Sequence, residues 1–431
     1  MKRKQRGAIL IFTLAILGAI VAVLAAATVA QRLAGMATEN RVNQKRAEIA
    51  AESGLQAAVS LLAVQSTTAT SQTDPWFTFG TNGSDHFMTN DGSFRVQILD
   101  AGAFLNLNSA TATQLQNLPL TQTQIDSLLD WIQTGSVPRA DGAKDDLYNG
   151  LPNPYNTAEA PIHDLDELML IDNFTPAALY TVQQSVNGTS LPQVTVGDVS
   201  YQPTLYDMVT VDSKSSNSSS TGAAKVNANT ASQQQLMAAG LPAGVATAIV
   251  TQRTRTPFTT LGALFGVAGV TLNNATAILN NLTVTTTAPT GKIDLNTASL
   301  AVLQTVPGVA TDIAQSIVSQ QAGIGFTTLG ALAQVPGMSL AILRQCADSF
   351  TINSQAFLVR VIGTAGSVSV PLEAVITLNP TTATGAATTA TSTTPPVSIT
   401  KIYHPAFNNM ITHWHWDNTT TNDIDLRTGT S

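Results

Sequence analysis

From Ala8 to Ala30 no position carries a charge, and nearly every side chain is apolar or small. About 20 such residues at ~1.5 Å rise are enough to cross the hydrocarbon core of a bilayer. After Gln31 the pattern turns amphipathic without breaking. There is no proline through Val64, Gly35 and Gly54 stand near the two ends, Leu55, Val59 and Leu62 recur at helical spacing, and Glu48 and Glu52 lie one turn apart. Residues 8–64 therefore predict one helix, about 85 Å long at ~1.5 Å per residue.

The period then changes. Phe94-Arg95-Val96-Gln97-Ile98-Leu99 alternates as a strand, and Ala101-Gly102 supplies a turn before Phe104-Leu105-Asn106-Leu107. Helical patterns follow until strands return at Phe357 to Ile362, a turn at Gly363 to Gly366, and Val368 to Leu378, the layout of a β-hairpin. A sheet begun before a helical block and finished after it implies an insertion. The predicted fold is α+β: a long N-terminal helix packed on an antiparallel sheet, with a large inserted all-α region.

That region repeats itself. Phe104 to Leu115, Lys225 to Leu236 and Lys292 to Leu303 share Asn-[Ser/Thr]-Ala with a leucine six residues beyond the hydroxyl residue. The Asn-[Ser/Thr] pair is suited to capping a helix N-terminus. The second and third copies continue alike, through Leu241 to Gly244 or Val306 to Gly308, a helix, then Phe258-Thr259-Thr260-Leu261-Gly262-Ala263-Leu264 or Phe326-Thr327-Thr328-Leu329-Gly330-Ala331-Leu332. These two resemble helix-hairpin-helix units, whose Gly-x-Gly turn offers backbone N–H groups to a DNA phosphate. The residues for such a contact would be Gly244, Arg253, Arg255 and Gly308, but the second glycine is absent in both copies. Only 11% of residues are charged and the net charge is −7, which weighs against broad nucleic-acid affinity. A packing role is favoured for the repeats, with a membrane-anchored DNA receptor of the competence type as the rival.

Lys2, Arg3, Lys4 and Arg6 precede the apolar run and direct the chain after it outward. Three readings of this start compete: a secretory signal cut near Ala25-Ala26-Ala27, a plain anchor, or a leader ending at Gly7. The third layout resembles type IV pilins and pseudopilins, which implies cleavage by prepilin peptidase between Gly7 and Ala8 and retention of the apolar run. A long helix, half in the membrane and half on a globular head, is the pilin shape.

The first repeat adds its own motifs. Asn106-Leu107-Asn108, Asp130-Trp131-Ile132, the loop Pro138 to Tyr148, Pro154-Tyr155 and Leu165-Asp166-Glu167-Leu168 stand in order. Together they resemble the minor pseudopilin K of type II secretion systems, over residues 1 to about 180 and more loosely in the C-terminal strands. The resemblance implies a tip subunit of a periplasmic pseudopilus, held in the bacterial inner membrane before assembly. The partners it implies are other minor pseudopilins, the major pseudopilin, prepilin peptidase and the inner-membrane assembly platform. It implies calcium in the head, for which Asp130, Asp141, Asp145 and Asp146 are the candidate ligands. With Gly7 as the cut site, Phe12 is the fifth mature residue, where most pilins carry glutamate; its absence suits the tip.

The expected organisation is a leader (1–7), an assembly helix (8–30), the stem and first part of the head (31–112), an inserted helical domain with the acidic loop (113–212), and a Ser-rich flexible linker (213–223). Two helix-hairpin-helix-like repeats (224–282 and 292–352) flank a linker (283–291). The head hairpin (353–379), a Thr/Pro-rich linker (380–398) and a strand-like tail (399–431) follow. Cys346 is the only cysteine, so no intramolecular disulfide forms. No nucleophile, zincin or phosphate-loop motif is present, and the protein is expected not to be an enzyme. His404, His413 and His415 lack zinc-site spacing and read as part of an aromatic contact segment.

Overall fold

The computed structural model describes residues 4–425 except 66–67, 91, 183–184, 187–188, 197–198, 288, 380–396, 404–413 and 415–422. Helix α1 runs unbroken from Lys4 to Leu62. Its first half stands free: Leu10, Phe12, Leu14 and Val23 are more than 60% exposed. Its second half is seated. Ala47, Ala51, Leu55, Ala58 and Leu62 repeat at three- and four-residue steps and are buried.

The seat is a six-stranded sheet. Its strands are β1 (His86–Met88), β2 (Ser93–Asp100), β3 (Ala356–Ala365), β4 (Val368–Leu378), β5 (Val397–Tyr403) and β6 (Asp423–Asp425), in spatial order β5-β4-β3-β2-β1-β6. All neighbours are antiparallel except β1 and β6. Alternation sends Phe94, Val96, Ile98, Phe357, Val359 and Val361 towards α1, where they form one core with Leu372, Ala374 and Ile376.

Gly363, expected in the hairpin turn, is a strand residue opposite Val370. A Cβ there would stand 2.0 Å from the Ala47 carbonyl oxygen, so glycine marks the closest approach of helix to sheet. The turn itself is at Gly366, whose φ of +56° lies in the left-handed region.

Strand β2 does not fold back on Leu105. Its partner is β3, with Asp100 opposite Phe357, and residues 101–355 form the excursion between them. This region is mainly helical, stapled by strands of two or three residues. Each repeat closes on a parallel pair: Leu105–Asn106 with Val209–Thr210, Val226–Asn227 with Leu282–Thr283, and Ile293–Asp294 with Phe350–Thr351. The longest helices of the three units are α2 (Gln122–Ile132), α3 (Ala243–Arg253) and α4 (Thr311–Gln321). They share one continuous core that includes Leu115, Leu128, Leu236, Ile249, Leu303, Ile317 and the buried Cys346.

The shared asparagine does something other than cap. Helix capping falls to Thr111, Ser232 and Ser299, which accept from the N–H of Gln114, Gln235 and Val302. Asn229 instead clamps the far side of its repeat: Oδ1 accepts from the Phe258 N–H at 2.8 Å, and Nδ2 donates to the carbonyls of Phe258 and Val284. Asn108 does the same with Ile162 and Val211, and Asn296 with Phe326. Asparagine suits the clamp because its carboxamide offers an acceptor and two donors on a short side chain.

The Ser-rich segment is not a loose spacer. Ser213 and Ser215 are buried, the Ser215 N–H donates to the Pro289 carbonyl, the Ser216 N–H donates to Asn353 Oδ1, and the Lys214 carbonyl accepts from Gln355. Composition predicted flexibility, but its backbone groups are taken by residues far along the chain.

Candidate functional site

The exposed half of α1 is the first candidate surface. It has a mean hydropathy of 2.8 over its most apolar window and is the one described helix long and apolar enough to cross a membrane. Gly7 and Ala8 lie within it, and Phe12 is 69% exposed on it. Below, Lys45 pairs with Glu48 at 2.5 Å on the solvated side of the stem.

The acidic loop does not gather its aspartates. Asp130, at the end of α2, is buried and held by Arg139: the backbone N–H donates to Oδ2 at 2.9 Å and Nη1 to Oδ1 at 2.6 Å. A Cβ at position 142 would lie 2.0 Å from Asp130 Oδ2, so Gly142 lets the loop close over the carboxylate. Asp145 accepts from the Thr157 N–H and hydroxyl at 2.8 and 2.7 Å, and these bonds lower its pKa. Asp141 and Asp146 are exposed. Among the described residues no three His, Cys, Asp or Glu side chains converge. The four aspartates as arranged do not fit a calcium cradle, because Arg139 supplies the positive charge and the Thr157 groups the donors that an ion would replace.

The hairpin turns are equally engaged. Arg253 Nη1 donates to the Ala228 carbonyl at 2.7 Å, inside its own repeat. Arg255 is exposed, Gly244 sits in the first turn of α3, and Gly308 holds a turn at φ +83°. His404, His413 and His415 lie outside the described residues. Trp414 is described and buried.

Three charge clusters were not foreseen. On the sheet face away from α1, Arg360 of β3 pairs with Glu373 of β4 at 3.0 Å, directly across the ladder. Arg360 Nη2 donates to the Tyr206 hydroxyl at 2.8 Å, and its guanidinium lies over the Tyr206 and Trp414 rings at 5.1 and 5.4 Å. Burial raises the Glu373 pKa against the pull of Arg360. The cluster lines a cavity of about 200 Å³ with Asp164, Asp166, Asp212 and Tyr403.

The second cluster joins sheet to insert. Asp100, at the end of β2, and Asp294, in the third repeat, are both buried and close enough for the charge of one to act on the other. Asp100 also accepts from the Gly102 N–H at 2.6 Å and the Thr297 hydroxyl at 2.5 Å; Asp294 accepts from the Thr70 hydroxyl and, at 2.9 Å, the Asn296 N–H. Burial raises both pKa values, and the charge of Asp100 adds to the rise at Asp294. The third cluster is a lysine pair, Lys225 and Lys292, between the last two repeats. The one sequence signal for it was that both open a repeat.

A half-exposed apolar helix seated on an antiparallel sheet is the pilin-like arrangement, here with a long insertion. The insertion carries the match: residues 104–187 are similar to the family model described as Type II secretion system (T2SS), protein K. Residues 289–351 match a helix-hairpin-helix motif. The chain is 29% identical over 195 residues to Type II secretion system protein K of Pectobacterium carotovorum subsp. carotovorum, covering 39% of this chain and 58% of the relative. It is 30% identical over 206 residues to the protein of the same name from Klebsiella pneumoniae, covering 42% and 61%. The chain thus spans about three-fifths of the length of these curated relatives. A chain from the crystal structure of the GspK-GspI-GspJ complex of the enterotoxigenic Escherichia coli Type 2 Secretion System aligns over 86% of this chain and 99% of its own, with a TM-score of 0.48 and 15% identity.

Proposed function

We propose that the chain is a minor pseudopilin of a type II secretion system, a structural part of protein export and not an enzyme. The apolar half of α1 stores it in the inner membrane with the head in the periplasm. Prepilin peptidase cuts between Gly7 and Ala8, and the assembly platform extracts the subunit. The helix then packs against those of the major and other minor pseudopilins. With Phe12 fifth and no glutamate to pair with a subunit above, the chain takes the tip and caps the filament.

The observation that carries this reading is the position of the protein K domain: residues 104–187 lie between two paired strands of a sheet that seats a half-exposed apolar helix. Exposed apolar surface on this scale needs lipid or partner helices to cover it. N-terminal sequencing of the mature protein tests the processing, and secretion of the system's substrates by a strain lacking this chain tests the role. A start at Ala8 together with a secretion defect is expected. A start near Gln31, a retained Met1, or undiminished secretion would overturn it.

A further inference from the structure

Lys225 and Lys292 hold equivalent positions, each opening a repeat just before the strand that closes it. Both lysines line one cleft of about 280 Å³, with Asn217, Thr259, Thr283, Thr285, Thr287 and Thr290 around them. Lys225 donates to the Leu279 carbonyl at 3.0 Å. Among the described residues neither lysine has a carboxylate within salt-bridge distance, and Lys292 makes no hydrogen bond. The nearest negative group is Asp348, but its two oxygens already accept from the N–H groups of Leu261 and Gly262 at 2.7 and 2.8 Å.

Both lysines are half-buried, not sealed from water, and two like charges side by side at such depth without a counter-charge are unfavourable. The more deeply buried Arg360, by contrast, is matched by Glu373 and Tyr206. The cleft supplies what a multivalent anion needs: two cations, hydroxyl and amide donors, and room for several water-sized groups. We propose that the cleft between the second and third repeats binds a small multivalent oxyanion of the phosphate or sulfate class, held between Lys225 and Lys292. The site is apart from the hairpin turns at Gly244 and Gly308, and it does not depend on the secretion reading.

The closeness of the two lysines shows in their titration. Burial, and then the charge of Lys292, push Lys225 down to about 7, and burial also lowers Lys292 against the pull of Asp348. A bound anion reverses both effects, so binding takes up protons near neutral pH and weakens as pH rises through 7. Lys292 and Asp348 are the charged groups of the cleft beside Lys225; the charge of Lys292 adds to the effect, and Asp348, which raises Lys292, lessens it.

Sulfate is the first probe, since it does not titrate in this range; inorganic phosphate is the second. The full-length protein in detergent is titrated calorimetrically against chloride at matched ionic strength. One site is expected, with affinity falling by up to about tenfold between pH 7 and 8. At 100 times the dissociation constant the melting midpoint should rise by about 4 °C. Lys225→Met with Lys292→Met should abolish both responses while raising the midpoint measured in chloride. If the double variant does not fold, Lys225→Met alone should weaken binding about tenfold and remove the pH dependence. Sulfate and phosphate responses no larger than chloride's, or a variant that binds as the parent does, would overturn the proposal.

Discussion

The guanidinium in the head and the lysine pair in the insert solve opposite problems. Arg360 is buried at 7% exposure, yet Glu373 meets it across the ladder, Tyr206 accepts from it, and two rings flank it. Lys225 and Lys292 face hydroxyls and one engaged aspartate. A matched buried charge fixes how two elements meet; an unmatched one is stability withheld until a ligand arrives.

The comparison breaks most sharply at Glu373. Glu373→Gln leaves Arg360 buried without its counter-charge and should cost about 3–5 kcal/mol, read by denaturant unfolding. Joint replacement, Arg360→Met with Glu373→Leu, should return the protein to within about 2 kcal/mol of the parent, since nothing charged is then stranded. Asp348→Asn probes the other site. It weakens the acceptors for Leu261 and Gly262 and removes the sole nearby negative charge, so about 1–2 kcal/mol should be lost in the same measurement.

The smallest effect belongs to the acid pair, which sharpens the comparison because burial there favours the protonated form of two like groups. Its folded-state pKa values lie above those of the unfolded chain, so its stabilisation is complete below about pH 4 and is lost as pH climbs through the folded values. Asp294→Asn should therefore gain on the order of 1 kcal/mol at pH 7 and flatten the fall in melting midpoint from pH 4 upward.

Periodicity made the large elements legible. The uninterrupted helical pattern to Val64, the alternation at Phe94 to Leu99 and the length of Val368 to Leu378 each reported a local property, and the inserted α+β layout followed from their order. The repeats were legible as repeats, but the role of their asparagine was not, because Phe258, Val284 and Phe326 lie about 30 to 55 residues away. Gly363 misled for a related reason: a glycine in a turn-like string is indistinguishable from one that admits a helix backbone. The acidic loop misled because counting carboxylates ignores Arg139, which sits among them and takes Asp130. Charge clusters built from Asp100 with Asp294, or Tyr206 with Arg360, leave no local pattern at all.

The direct pairing of Asp100 with Phe357 has a kinetic side. Strands β2 and β3 cannot register until the chain from 101 to 355 has brought its two ends together, and an unstructured loop of that length closes at high entropic cost. A folded insert lowers that cost because it holds the two ends already adjacent. The last strands to arrive then complete the platform on which the stem of α1 rests. Insert and sheet are thereby coupled: the stem of α1 has its full seat only when residues 101 to 355 hold β2 and β3 in register.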